Sequence, residues 1–131
     1  MSIEDVLAHS REGVRRLAPH EAWQAQQDGA LLVDTRTETQ RAEAGEVPGA
    51  VVIDRTVLEW RLDPKSPDRV PEATSHDLLV VVLCRQGYSS SLAAESLRRL
   101  GLWRATDVVG GVEAWLAAGL PLTAGPADVR R

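Results

Sequence analysis

An α/β fold built on a parallel sheet is what this 131-residue sequence predicts, and three observations predict it. Short runs rich in β-branched residues alternate with segments patterned as helices, with no internal repeat and no low-complexity block. The run Leu78-Leu79-Val80-Val81-Val82-Leu83 has no polar alternation, as in a central strand buried on both faces. The length suits a single domain over residues 1–131, with one core over about residues 15–122, a short N-terminal helix and a solvated, mobile tail from Leu122 to Arg131.

Along the chain, Arg15–Leu17 is a weak strand candidate just before Pro19. Pro19 suits a first helical turn and Gly29 the position after a last one, framing a helix that turns Trp23 inward. Leu31–Asp34 reads as a strand. Thr37 with Gln40 matches a capping box, in which each side chain satisfies the other residue's free N–H, and Thr56 with Glu59 matches a second. Each predicts a short helix, with a strand at Ala50–Ile53 between them. Asp63–Asp77 holds three of the seven prolines and no periodicity, so it reads as a long loop, either a functional lid or surplus surface. After the Leu78–Leu83 strand, Ser90–Leu100 places Ala93, Leu97 and Leu100 on one helical face, with Gly101 as a stop. Thr106–Val109 is the last strand candidate. Between Gly110-Gly111 and Gly119, a final helix turns Val112, Trp115 and Leu116 to one side.

Composition excludes several function classes. Apolar residues at 44% and charged ones at 26% are near the averages for globular proteins, against a disordered or fibrous chain. The net charge of -4, with no basic tract, argues against nucleic acid as a partner. No apolar run approaches the ~20 residues of a membrane span, and the acidic N-terminus lacks a signal-peptide core. A cytoplasmic protein with no membrane partner is expected. The single cysteine, Cys84, rules out an internal disulfide and a CxxC pair and fits a reducing compartment, while His9, His20 and His76 have no metal-ligand spacing. Neither a metal nor a cofactor is called for.

The chemistry concentrates in Cys84-Arg85-Gln86-Gly87-Tyr88-Ser89-Ser90, between the most buried strand and a helix start. Ligand crevices of open α/β sheets lie at the carboxyl ends of strands, where Cys84 stands. Gly87 permits a turn with positive φ, and the N–H groups around it and at the helix start form an anion-binding nest that favours the thiolate, the reactive form. Arg85 is expected to lower the thiol pKa further and to attract an anionic donor. Against this stands the plain possibility that a lone cysteine only packs. The polar, glycine-containing loop that follows favours reactivity. A phosphatase or arsenate-reductase loop needs an arginine six residues after the cysteine, where this chain has Ser90. A serine hydrolase elbow is approached by Gly87-Tyr88-Ser89-Ser90-Ser91 but fails at its last position, and no histidine follows Ser89.

From about Leu17 to Leu122 the chain resembles the single-domain rhodanese-like sulfurtransferases. The likeness rests on Leu31-Leu32-Val33-Asp34-Thr35-Arg36, Gly45-Glu46-Val47-Pro48-Gly49-Ala50, the Cys84 loop, and Gly110-Gly111-Val112-Glu113-Ala114-Trp115 leading to Gly119-Leu120-Pro121, in that order. The resemblance implies a five-stranded, mostly parallel sheet with helices on both faces and an active loop from Cys84 to Ser89. It implies that the cysteine takes a sulfane sulfur from a donor such as thiosulfate, holds it as a persulfide cradled by the loop amides, and passes it to a thiol or cyanide. With no second cysteine to resolve the persulfide, the acceptor is external, and a sulfur-carrier protein is a candidate transient partner. Two departures stand out: Ser89, where many members carry a basic residue, and Glu46, where many carry histidine. Asp34 and Arg36 match an Asp-x-Arg pair, read mainly as a loop-holding ion pair that could also border the pocket. Ser90 is placed with them as a supporting residue. Trp60 and Arg61 are read as a pocket wall or, for the tryptophan, as core. The alternatives to sulfur transfer are a non-catalytic rhodanese-like binding module and a phosphatase or arsenate-reductase type of enzyme.

Overall fold

The computed structural model describes residues 1–131. In chain order the elements are α1 (Ile3–Ser10), α2 (Pro19–Gln27), β1 (Leu31–Asp34), α3 (Glu38–Ala44), β2 (Val51–Val52), a 3-10 turn (Arg55–Val57), α4 (Leu58–Leu62), β3 (Val80–Leu83), α5 (Ser89–Arg99), β4 (Thr106–Asp107), α6 (Gly111–Ala117) and β5 (Asp128–Val129). The strands form one sheet in the order β4-β3-β1-β2-β5, and every pairing is parallel. This is the α/β class expected, with all five strands parallel.

The unbroken apolar run is explained by the two cores on either side of the sheet. Val80 and Val82 join Val33, Val51, Leu58, Leu62, Ala93 and Leu97 beneath α4 and α5. Val81 and Leu83 join Leu17, Leu32, Val108, Val112 and Trp115 beneath α2 and α6. Successive side chains of a strand point to opposite faces, so a strand covered on both must be apolar at every position. Trp23 is half-buried against Trp115, ring centroids 5.8 Å apart and edge-on.

Several expectations need correction. The weak strand at Arg15–Leu17 reduces to one bridge between Leu17 and Val108. The Thr37–Gln40 capping box forms, but the Thr56–Glu59 box does not. Asp54 caps the 3-10 turn through the Thr56 N–H at 2.8 Å, and Glu59 is drawn instead to Arg55 and to the Ser96 hydroxyl. Leu116 is exposed, leaving Val112 and Trp115 as the buried face of α6. Asp63–Asp77 is not a lid, because Val70 and Ala73 are fully buried in the core and pin its second half. The tail is no loose end: β5 pairs with β2, and Arg130 bonds Glu72 and Asp128.

Candidate active site

Cys84 stands at the carboxyl end of β3, and α5 begins five residues later, so the sulfur lies beside the turn at Gly87 and the first residues of α5. The thiol is 6% exposed. The Gly87 N–H donates to Sγ at 3.1 Å, which places Gly87 at φ +85°, a region that costs a side-chain-bearing residue about 1–2 kcal/mol. The loop is held from outside by α6. The Val112 and Glu113 N–H groups donate to the carbonyls of Cys84 and Arg85 at 2.9 and 3.1 Å. Those carbonyls are therefore drawn away from the sulfur. Gly111 allows the approach, since a Cβ there would strike the Cys84 and Arg85 carbonyls.

Burial pushes the Cys84 thiol up. Once the sulfur is ionised, donation to it from the Ser90 and Ser89 hydroxyls and from the Ser90 and Gly87 N–H groups outweighs that, so the thiol ionises below its ordinary value. Arg85 is not among the groups that lower the thiol's pKa, contrary to expectation. Its side chain is 59% exposed and its Nε donates to Glu113 at 3.0 Å, on the outer side of the loop. Gln86 also reaches toward Glu113, and Tyr88 is exposed. Ser89 opens α5 rather than lying wholly within the loop.

Ser90 is fully buried, accepts from Cys84 Sγ at 3.2 Å and donates to Asp107 at 2.7 Å. Asp34 and Arg36 form a buried ion pair at 2.8 Å, and Arg36 also donates to the Gly45 carbonyl, tying the segment after β1 to the end of α3. Arg36 borders a cleft of about 160 Å³ that Arg85, Gln40, Glu43, Glu113 and Leu116 also line. Trp60 is 59% exposed, neither core nor part of this cleft's wall, and Arg61 binds the Asp68 carbonyl.

Sequence reasoning missed Asp107, Arg16, Arg11 and Ser91. Asp107 is 1% exposed and receives hydrogen bonds from Ser90, Ser91 and Arg16. The signal was a carboxylate inside a strand that otherwise reads as buried. Such a group requires partners.

A family model described as "Rhodanese-like domain" matches residues 18–118. Among curated proteins, a sulfurtransferase of Allochromatium vinosum is 32% identical over 100 residues, 76% of this chain and 84% of that protein. A thiosulfate sulfurtransferase GlpE of Haemophilus influenzae is 26% identical over 108 residues, 82% of this chain and 93% of that protein. Among solved structures, a protein of unknown function from Rhodopseudomonas palustris, described as a possible tyrosine phosphatase, superposes with a TM-score of 0.82 at 29% identity. It covers 93% of this chain and 94% of its own.

Proposed function

From the premise that the chain belongs to the rhodanese-like domain family, we propose that it moves a sulfane sulfur through a persulfide on Cys84. The observation that carries this reading is the polar lining of Cys84 Sγ, a buried sulfur facing N–H and hydroxyl groups at the carboxyl end of a strand. The Cys84 thiolate attacks the outer sulfur of thiosulfate or another sulfane donor. A new S–S bond forms, the donor's S–S bond breaks, and sulfite or the corresponding thiolate leaves with the bonding pair. A thiol or cyanide then attacks the outer persulfide sulfur and releases the Cys84 thiolate. The loop donors stabilise negative sulfur in both steps.

The phosphatase description of the R. palustris protein is not carried over. At the position where that chemistry needs an arginine fork, Ser90 binds the sulfur, and behind its hydroxyl lies the Asp107 carboxylate, which repels a phosphate. A binding module without catalysis needs no reactive cysteine.

Intact-protein mass spectrometry after incubation with thiosulfate tests the proposal. The protein gains one sulfur atom, a reductant removes it, and Cys84→Ser gains none while remaining folded. A wild-type protein that takes up no sulfur from thiosulfate, polysulfide or an organic persulfide would sink the reading and leave the binding module.

A further inference from the structure

Behind Cys84 lies a buried polar array that sulfur transfer as described leaves without a task. Asp107 Oδ2 accepts from Ser90 at 2.7 Å, from Ser91 at 2.9 Å and from Arg16 Nη2 at 3.1 Å, and its Oδ1 accepts from Arg16 Nε at 2.8 Å. Arg11 Nε donates to Ser91 at 2.9 Å. Both arginines also donate to the Gly87 carbonyl, at 2.7 Å from Arg11 and 3.0 Å from Arg16. Gly87, whose N–H donates to the sulfur, thus has its own carbonyl held by Arg11 and by the Arg16 of the ion pair.

Counting hydrogens shows what the array does. A carboxylate only accepts, so the hydrogens of the Ser90–Asp107 and Ser91–Asp107 bonds come from the hydroxyls. Ser90 has one hydrogen. With that hydrogen on Asp107, its oxygen is an acceptor for Cys84, which suits the neutral S–H at 3.2 Å and opposes a thiolate. When the sulfur becomes negative, the Ser90 hydroxyl must turn to donate to it. Asp107 then keeps Ser91 and both Arg16 N–H groups.

We propose that Asp107, fixed by Arg16, is a positioning residue for the Cys84 sulfur: it holds the Ser90 hydrogen while Cys84 is a thiol and yields it when Cys84 is a thiolate or persulfide anion. This rests on the proposed persulfide cycle for its purpose, though its geometry stands apart from it. The array lets one buried site accommodate both charge states without an unpaired polar group in either. The other charged groups nearby have separate partners. Arg98 is bound to the Ala105 and Ser10 carbonyls, and Arg85 pairs with Glu113 outside the loop.

The test reads the thiol directly, as the rate of Cys84 alkylation by iodoacetamide against pH. In Asp107→Asn the amide oxygen, placed as Oδ1, still accepts from Arg16 Nε, while the NH2 placed as Oδ2 faces Ser90 and Ser91 and gives up the Arg16 Nη2 contact, which keeps its bond to the Gly87 carbonyl, so the Ser90 hydrogen is turned to the sulfur. The inflection moves to lower pH, and the rate at pH 6 rises by about three- to tenfold, a full unit being tenfold. Ser90→Ala moves the inflection to higher pH, and the double variant stays close to Ser90→Ala. An unmoved or raised inflection in Asp107→Asn overturns the proposal. So does an equal shift in the Ser90→Ala background, which assigns the effect to charge alone. If Asp107→Asn does not fold, Ser90→Ala decides, and an unmoved profile there is equally fatal. Sulfur uptake is followed by mass in parallel: the expected shifts without uptake by the wild type defeat the persulfide reading and leave the positioning role standing.

Discussion

Arg85 carries the only charge in the loop from Cys84 to Ser89, and Glu113 takes it up at 3.0 Å. With an uncharged Ser89 opening α5, this loop offers a dianionic donor no free cation of its own. Glu113→Gln therefore increases kcat/KM for thiosulfate and steepens its loss with salt. An exposed pair of this kind is worth ~0.2–1 kcal/mol, so the gain is about 1.4- to fivefold. Steady-state kinetics at several ionic strengths measure it, and an equal gain with an uncharged donor would reject the electrostatic cause. Cys84, Gly87, Ser89 and Ser90 stood out in the sequence because one contiguous stretch carries them. The array behind them did not, because Arg16 and Asp107 lie 91 residues apart and only the folded sheet joins them.

The short helix α6 does its work at its N-terminus, where two N–H groups hold the carbonyls of Cys84 and Arg85. Gly111, at φ +60°, is where that contact is made. Gly111→Ala adds a Cβ against those carbonyls and forces the active loop to shift, whereas Gly119, at φ +79°, has open space around it. Gly119→Ala costs only the ~1–2 kcal/mol of a left-handed conformation and retains sulfur uptake. Gly111→Ala loses more stability and about tenfold or more in sulfur-uptake rate. Thermal melts and single-turnover mass measurements compare the two, and equal uptake by both would show that the α6 contact does not set the loop. Helices were legible where the cap was local, as at Thr37. They were misjudged where a distant partner competed: Ser96 and Arg55 claim Glu59, and Asp54 caps the turn one step earlier.

Across the whole molecule, strand order sets the distance between stability and chemistry. The active loop follows β3, while β5 lies at the far edge beyond β1 and β2. The two-residue β5 was invisible in the sequence, since Asp128-Val129 has no apolar alternation and takes its place only by pairing with Val51-Val52. Its support is polar: the Arg130 N–H donates to the Val52 carbonyl at 2.8 Å, and the guanidinium binds Glu72 and Asp128. Removing residues 123–131 uncovers the β2 edge and deletes a few ladder hydrogen bonds at ~1 kcal/mol each together with a partly exposed ion-pair network, about 2–4 kcal/mol in all. Cys84 alkylation and sulfur uptake at a temperature where the truncated chain is still folded stay at the full-length level. Hydrogen bonding to Arg130 holds the Glu72 and Asp128 carboxyls below their ordinary range. Groups with depressed folded-state pKa values stabilise at pH above their unfolded values, and the contribution disappears as pH falls through the folded ones. The stability gap between the two chains is therefore widest near neutral pH and narrows below about pH 4. Denaturant titrations from pH 7 to pH 3 measure it. A gap independent of pH would assign the role of the segment to backbone pairing alone, and loss of sulfur uptake in a folded truncated chain would show that this edge contributes to the site.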